Sequence, residues 1–284
     1  MKTVNICHHN TTGLYNDSII IAKAIPKEYT IIFTRYEEKE LYNNKYKFEE
    51  SDIMIFIEHI HINCKIANAK IVLFFPNIEW LTASDIKICK TQYITHICCK
   101  NRWTYDILSK HLNKCILTKF SSLDMYDENE ERKDECVHIK GVSKYKNTQT
   151  VLDEWIKHPK WPLLHLVHKS DVDITIPIKI TDNIILYQTK LEKETLKKIM
   201  NRCKIHICPS YAEGYGHYIN EARSCDAYII TVDGKPMNEM VKNEYGYRIK
   251  VKNEKIIRLL TKGYCMTGEE FNEGCEKVFG EKLY

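Results

Sequence analysis

The chain has 284 residues, of which 44% are hydrophobic and 28% charged, and a formal net charge of +4. That length leaves room for two domains with separate cores, and the mixing of lysines with acidic residues indicates no surface for nucleic acid. No apolar run approaches the roughly 20 residues of a membrane span, and the amino terminus has no signal-peptide pattern. We therefore expect a cytoplasmic protein that neither inserts stably into membranes nor binds nucleic acid.

Short continuous apolar runs follow one another through the first half of the chain. They cover residues 3–7, 29–33, 52–57, 70–75 and 93–99. Runs without alternation are typical of parallel strands that are covered on both faces. A charged stretch, residues 127–135, ends this half and is predicted to be the interdomain linker.

The second half alternates predicted strands with predicted helices. The strands cover residues 137–140, 163–168, 183–187, 204–208 and 227–232, and the helices 148–158, 192–203 and 216–225. Such alternation indicates a doubly wound α/β domain, which binds ligands at the carboxyl ends of its strands. We predict domains at residues 1–132 and 133–262, followed by a helical tail, 263–284, that packs back on the first domain.

Glycine is scarce and its placement is informative. Among ten glycines only Gly13 lies in the first 140 residues, and Gly141 follows the first predicted strand of the second half. In such a chain each glycine is expected to mark a backbone position that other residues cannot adopt. Each half then begins strand, glycine, helix, as two Rossmann-like domains would, although plain turns are the alternative.

The twelve cysteines are spaced irregularly, with no Cys-x-x-Cys pair. Several of them lie within or beside apolar runs. This pattern is typical of reduced, buried thiols in a cytosolic protein rather than of a disulfide framework.

The most informative loop follows the predicted strand 204–208. It contains Gly214 and Gly216, opens into a helix, and is flanked by the carboxylates of Glu213 and Glu221. Glycines let backbone N–H groups approach a phosphate, and a helix N-terminus adds partial positive charge. Glu221 could accept the ribose hydroxyls of a nucleotide, and Glu213 lies at the phosphate end. The alternative is an acidic loop that caps a helix, with Glu221 solvated.

The whole motif, Pro-Ser-x-x-Glu-Gly-Tyr-Gly-x4-Glu-Ala, resembles the Glu-x7-Glu signature of retaining glycosyltransferases with the GT-B fold, the glycogen-synthase-like group (glycosyltransferase family four type). The resemblance implies an α/β protein of two Rossmann-like domains facing across a cleft. It also implies sugar transfer, with retention and without a metal, from a UDP-sugar or GDP-sugar to a hydroxyl of a glycan or of a protein- or lipid-linked sugar.

The resemblance carries roles to individual residues. Glu213 faces the donor sugar and is catalytic, the loop Gly214-Tyr215-Gly216 binds the diphosphate, and Glu221 binds the ribose.

A second loop, after the strand 137–140, matches the family in part. The family places an arginine shortly after the glycine that corresponds to Gly141, and a lysine four or five residues further on. Lys146 matches that lysine, and we predict it to be catalytic through the diphosphate. Val142 and Ser143 occupy the region of the arginine, so Lys144 is the nearest other cation and a predicted diphosphate ligand. The alternative is that both lysines are ordinary solvated charges.

The first domain is expected to supply the acceptor side. We assign Gly13 to the binding site, with further candidates at predicted strand ends: His8, His9, Asn10, Glu58, His59 and His61. The family commonly carries a histidine near the sugar where this chain has Asn77. His59 or Glu79 could replace it, and Glu239 of the second domain could approach the nucleotide.

Asp171-Val172-Asp173 resembles the metal-binding Asp-x-Asp of the other major glycosyltransferase fold. It lies in a polar loop that no apolar strand leads into, so we predict a surface loop and no metal ligands.

Two other functions stay open. Loss of the arginine and the histidine would suit a catalytically inactive nucleotide-sugar-binding protein. A DNA base-modifying glycosyltransferase is also open, although the weak net charge disfavours it. The richness in Ile, Lys, Asn and Tyr, with the Pro-Asn-x-Glu-Trp motif, resembles glycosyltransferases of giant DNA viruses, which would place the protein in a host cytoplasm.

Overall fold

A computed structural model describes residues 2–36, 48–60, 69–141, 143–168 and 174–282. The chain forms two compact units. The first comprises Met1–Leu123 and Ile256–Thr261, and the second comprises Asp124–Lys255 and Lys262–Tyr284.

The first unit is a six-stranded parallel sheet with helices. Its elements are β1 (Lys2–His9), α1 (Thr12–Ala24), β2 (Tyr29–Tyr36), β3 (Ile53–Glu58), β4 (Ile71–Pro76), α2 (Ala83–Cys89), β5 (His96–Cys99), α3 (Arg102–Leu108) and β6 (Cys115–Leu117). The strand order is β2-β1-β3-β4-β5-β6, and each neighbouring pair is parallel. The predicted α/β class is therefore confirmed here.

Strand β3 shows why the apolar runs of this unit are continuous. Met54 and Phe56 belong to one buried cluster, whereas Ile55 and Ile57 belong to another. Because successive side chains of a strand point to opposite faces, the two clusters lie on opposite faces of the sheet. A strand covered on both faces favours apolar residues at successive positions.

The second unit repeats the architecture. Its elements are β7 (Lys133–Gly141), a 3-10 turn (Lys144–Lys146), α4 (Thr148–Lys157), β8 (Leu164–His168), β9 (Ile184–Tyr187), α5 (Lys193–Arg202), β10 (Cys203–Cys208), α6 (His217–Ser224), β11 (Tyr228–Val232), α7 (Met237–Met240), β12 (Gly246–Ile249) and α8 (Gly268–Lys282). The strand order is β12-β11-β10-β7-β8-β9, again parallel throughout. Strands β13 (Glu254–Arg258) and β14 (Thr261–Tyr264) form a separate two-stranded sheet.

Each six-stranded sheet has one point at which the strand order reverses. In the first unit it lies between β1 and β3, and in the second between β7 and β10. Loops that leave the carboxyl ends of such a strand pair turn to opposite sides and open a crevice, which is where doubly wound proteins bind their ligands.

The charged stretch 127–135 is not an interdomain linker. The second unit already begins at Asp124, and residues from Lys133 onward open β7. Their charges are paired along the amino edge of the sheet: Lys204 donates to Asp134 at 2.7 Å, and Arg202 donates to both oxygens of Glu135 at 2.7 Å. A strand end that is rich in charged residues has the composition of a linker. Its ion-pair partners on neighbouring elements, which distinguish it from a linker, are visible only in the structure.

The tail, which was expected to pack back on the first domain, contributes to the core of the second unit. Phe271, Cys275, Val278 and Phe279 of α8 belong to the main core of the second unit. Their spacing is that of one apolar helix stripe, which covers α4 and β12.

Glycine has a special conformation at Gly141 but not at Gly13. Gly141 ends β7 with φ +59°, a region that side-chain-bearing residues rarely adopt. Gly13 lies inside α1, and a Cβ added there would meet no atom within 4 Å. The expectation that Gly13 marks a special backbone position is therefore wrong.

The described cysteines are free thiols, and most are buried. Among the described residues no helix is both long enough and apolar enough to cross a membrane.

Candidate functional site

Two loops meet at the carboxyl ends of β7 and β10, where the strand order of the second unit reverses. The backbone N–H of Tyr211 donates to the Tyr145 carbonyl at 2.7 Å, and the Asn147 side-chain amide donates to the Pro209 carbonyl at 2.8 Å. These bonds hold the turn after β7 beside the loop after β10. The structure thus brings together the two motifs that the sequence singled out.

The turn after β7 is shaped by its own polar residues. The Ser143 hydroxyl accepts from the Tyr145 N–H at 3.2 Å, and Asn147 adopts a left-handed conformation with φ +52° before α4 begins. Asparagine tolerates that region better than most residues. Val142, in the region where the family carries its arginine, lies outside the described residues.

Lys146 and Glu213 form the centre of the site. The Lys146 ammonium donates to Oε1 of Glu213, and the Ser210 hydroxyl donates to the same oxygen at 2.5 Å. The two charged side chains are 12% and 13% exposed, so the pair is largely shielded from water but still open at one side. An ion pair in this setting can exchange one partner for a ligand.

Tyr218, in the first turn of α6, completes this cluster. Its hydroxyl is hydrogen-bonded to the Ser210 hydroxyl, and its ring centroid lies 3.3 Å from Nζ of Lys146. Sequence reasoning gave no role to Ser210 or Tyr218. The sequence does show a polar side chain, Ser210, three residues before Glu213, and an aromatic one, Tyr218, five residues after it. These positions could have indicated that both residues lie near Glu213.

Gly216 allows α6 to begin beside this cluster. It is the N-cap with φ +81°, and an added Cβ would lie 2.6 Å from Cε of Met240. A residue with a side chain would therefore be strained and would also displace Met240. Gly214 and Tyr215 lie in the same loop, and the ring of Tyr215 packs at 5.2 Å on that of His217. The partial positive charge of the helix N-terminus is directed to this end of the sheet.

Glu221 lies one turn into α6 and is partly buried. Burial raises the pKa of its carboxyl, while His217, Lys146 and Lys193 act in the opposite direction. A carboxylate that is costly to keep charged without a ligand is a frequent property of binding sites.

A buried histidine supports the site from below. Nδ1 of His138 lies 2.8 Å from the Ile207 carbonyl and Nε2 lies 2.8 Å from the Thr148 hydroxyl. Burial lowers the pKa of His138 to about 4, so the ring is neutral at pH 7. Because a carbonyl only accepts, Nδ1 carries the hydrogen and Nε2 accepts from Thr148. The ring thereby ties β7, β10 and α4 together.

The remaining candidates of the second unit lie less centrally. Lys144 is exposed, with Nζ 5.7 Å from the ring centroid of Tyr145. Glu239 accepts from Lys235 at 3.0 Å. Asp171 and Asp173 lie outside the described residues.

In the first unit, several candidates at strand ends are bound to one another. Asn77 donates to Glu58 at 2.8 Å and accepts from Lys100 at 2.6 Å, and Lys100 also donates to Asp17 at 2.7 Å. Glu58 has φ +74°, and burial raises the pKa of its carboxyl, while the Asn77 amide lowers it. Asn77 is therefore held in a polar network at the carboxyl ends of β3, β4 and β5.

The other first-unit candidates have separate surroundings. Nδ1 of His59 lies 3.2 Å from the Asp85 carboxylate. His8 and Glu79 are buried, and the His9 ring packs on that of Tyr36. Asn10 follows β1 directly, and His61 lies outside the described residues.

One group of side chains at the opposite edge of the second sheet has the composition of a metal site. Ligand atoms of Glu135, His165 and Cys203 lie within 4.8 Å of one another. Both oxygens of Glu135, however, accept from Arg202, and Oε2 also lies 2.8 Å from Nε2 of His165. The carboxylate is satisfied as an ion pair, and a fixed guanidinium beside it opposes a bound cation.

Part of the second unit matches a known protein family. Residues 178–271, which include Glu213 and Glu221, match the model of the family "Glycosyl transferases group 1". No curated protein matches the chain.

Several solved structures are similar in fold. Sucrose-phosphate synthase from Thermosynechococcus elongatus superposes with a TM-score of 0.68 at 10% identity, over 99% of this chain and 90% of that one. The Anabaena protein HepE in complex with UDP-glucose gives 0.68 at 11% identity, over 100% and 91%. A glycosyltransferase from Rickettsia africae gives 0.66 at 12% identity, over 98% and 89%. The shared two-sheet architecture shows the GT-B fold, and the family match, which covers about a third of the chain, supports a glycosyltransferase.

Proposed function

We propose that the chain transfers a sugar, with retention of anomeric configuration, from a UDP-sugar or GDP-sugar to a hydroxyl group of a glycan or of a protein- or lipid-linked sugar. The observation that carries the proposal is the Lys146–Glu213 pair at the reversal point of the second sheet, beside the N-terminus of α6. The complex of HepE with UDP-glucose supports a uridine donor.

The diphosphate would bind to the cationic side of this site. Lys146 leaves Glu213 for a phosphate oxygen, and backbone N–H groups of Gly214, Tyr215 and Gly216 donate to the others. Gly141 gives the loop after β7 the left-handed turn that precedes Lys146, and Lys144 adds positive charge at the rim. Because these groups supply the charge that the leaving diphosphate needs, we propose transfer without a metal ion.

The nucleoside would bind along α6. The Glu221 carboxylate accepts hydrogen bonds from both ribose hydroxyls. These bonds replace the hydrogen bonds from water that the carboxylate loses through burial. Each hydrogen bond to a charged acceptor is worth about 1.5–3 kcal/mol.

The chemical step would take place at the anomeric carbon. The acceptor oxygen forms its bond to that carbon while the bond to the diphosphate oxygen breaks, and the diphosphate oxygen takes the acceptor proton. Glu213, released from Lys146, orients the sugar hydroxyls and stabilises the positive charge that develops on the ring. Positioning and electrostatics provide the acceleration.

Calorimetry of the full chain with UDP, GDP, ADP and TDP tests the binding part. We expect UDP or GDP to bind and Lys146→Met to weaken the binding. Incubation with UDP-glucose and GDP-mannose, followed by NMR of the released or transferred sugar, tests the reaction. Binding of none of the four diphosphates would contradict the proposal, as would an inverted product. Binding without any hydrolysis or transfer would favour an inactive nucleotide-sugar-binding protein.

A further inference from the structure

Tyr218 contacts Lys146 directly and is linked to Glu213 through Ser210. Its ring centroid lies 3.3 Å from Nζ of Lys146, and its hydroxyl is bonded to the Ser210 hydroxyl, which in turn donates to Glu213. The four side chains therefore form a closed circuit: ring to ammonium, ammonium to carboxylate, carboxylate to serine, serine to tyrosine. We call it the Tyr218 circuit.

The direction of the hydrogen bonds in this circuit follows from counting hydrogens. Serine has one hydroxyl hydrogen, and Ser210 gives it to Glu213. Tyr218 must then be the donor to Ser210. Tyr218 is 7% exposed, and burial raises the pKa of its hydroxyl well above the ordinary value. The phenol therefore keeps the hydrogen that the circuit requires.

The ring has a separate effect on Lys146. An ammonium that is shielded from water needs compensation on every side, and an aromatic face supplies it without forming a hydrogen bond. Lys146 is 12% exposed. When the ammonium exchanges Glu213 for a phosphate oxygen, the buried ring remains beneath it, whereas a second carboxylate would compete with the phosphate.

We propose that Tyr218 is a positioning residue that holds Lys146 at the diphosphate end of the site through its ring and holds Glu213 in place through Ser210. The inference rests on the proposed function for its consequence, but the placement of Lys146 can be measured without any nucleotide. The two contacts of Tyr218 separate into two roles: the ring acts on diphosphate affinity, and the hydroxyl acts on turnover.

Two variants of the full chain separate these roles. Tyr218→Phe keeps the ring and removes the hydroxyl, so UDP affinity should stay within about twofold while UDP-glucose hydrolysis slows. Tyr218→Leu removes both, so UDP affinity should fall about tenfold, as expected for a desolvated cation–π contact.

The matched control is Tyr228→Leu. Tyr228 packs on the same core at the amino end of β11, away from the site. Its truncation should lower thermal stability but leave UDP affinity unchanged.

An NMR measurement tests the placement itself. In a chain with ¹³Cε-labelled lysine, the Lys146 signal is assigned by its absence in Lys146→Arg. Its protons should be shifted upfield by the Tyr218 ring, unchanged in Tyr218→Phe, and returned to the ordinary position in Tyr218→Leu. An unshifted Lys146 signal in the wild type would overturn the inference, whatever nucleotide binds. Equal UDP affinity of the wild type and Tyr218→Leu would overturn it as well. A shifted signal without UDP or GDP binding would refute the proposed function and leave the placement intact.

Discussion

Each unit contains a lysine–carboxylate pair at the carboxyl end of its sheet, and the two pairs differ in their exposure to water. Lys100 and Asp17 in the first unit are 2.7 Å apart, each side chain 2% exposed, and Asn77 takes a further hydrogen of the ammonium. Lys146 and Glu213 in the second unit are 12% and 13% exposed. Both pairs join residues that are distant in sequence.

The difference separates a pair that is closed to water from a pair that a ligand could reach. Water and ligands do not reach Lys100, so its charge is satisfied by fixed partners, and removing one partner leaves a buried charge unpaired. Lys146 has an open side, so a phosphate can replace its carboxylate partner. We infer that the degree of closure, rather than the presence of an ion pair, indicates which pair serves binding.

The largest expected effect is on the closed pair. Lys100→Met should lower the free energy of unfolding by about 3–5 kcal/mol, because Asp17 loses its buried partner. Lys146→Met, the matched substitution, should cost less, because water can reach Glu213 from the open side of the pair and replace part of the lost interaction. Denaturant unfolding followed by tryptophan fluorescence measures both. Equal losses in the two variants would break the comparison.

The open pair should control the reaction. Glu213→Gln should reduce turnover of UDP-glucose by roughly 10²-fold or more, because the charge that faces the developing positive centre is lost. UDP affinity should hold or increase, because Lys146 is then free of a competing carboxylate. Steady-state kinetics and calorimetry measure the two effects. A variant with wild-type turnover, or one that loses UDP binding and turnover together, would assign Glu213 another role.

The Glu221 carboxylate should strengthen UDP binding and lower the stability of the folded protein. Glu221→Gln should weaken UDP binding by on the order of 2 kcal/mol, since the charged acceptor for the ribose is lost. It should also raise the unfolding midpoint at pH 7, because the folded state raises the pKa of this carboxyl and disfavours its charge. The charged carboxylate destabilises the folded state as the pH rises from its ordinary pKa of 4.5 through the raised pKa. The stability gained in Glu221→Gln should therefore shrink as the pH falls toward 4.5. A stability difference that does not vary with pH would contradict the account.

The smallest expected effect is that of a chelator. EDTA should leave UDP affinity and UDP-glucose turnover unchanged, because Lys146 and the loop amides supply the charge on the diphosphate side. Loss of activity with EDTA and recovery with manganese would instead assign a metal to Asp171 and Asp173.

The sequence by itself determined the local patterns of this protein. Continuous apolar runs predicted the parallel strands, and the Glu213-to-Glu221 spacing predicted a loop and helix with two carboxylates. These predictions depend on neighbouring residues and on periods of two and 3.6, which a sequence displays directly. The charged residues 133–135 were wrongly predicted to belong to a linker for the same reason, because their partners Lys204 and Arg202 are distant in the chain.

Only the tertiary structure decided which of these residues meet. The strand order places β7 beside β10, and this brings Lys146 to Glu213 and, through α6, puts the ring of Tyr218 under the ammonium. It likewise surrounds Lys100 with Asp17 and Asn77 and leaves Lys146 open on one side. Burial and pairing depend on every element that packs around a side chain, so two lysines that each follow a strand acquire different surroundings.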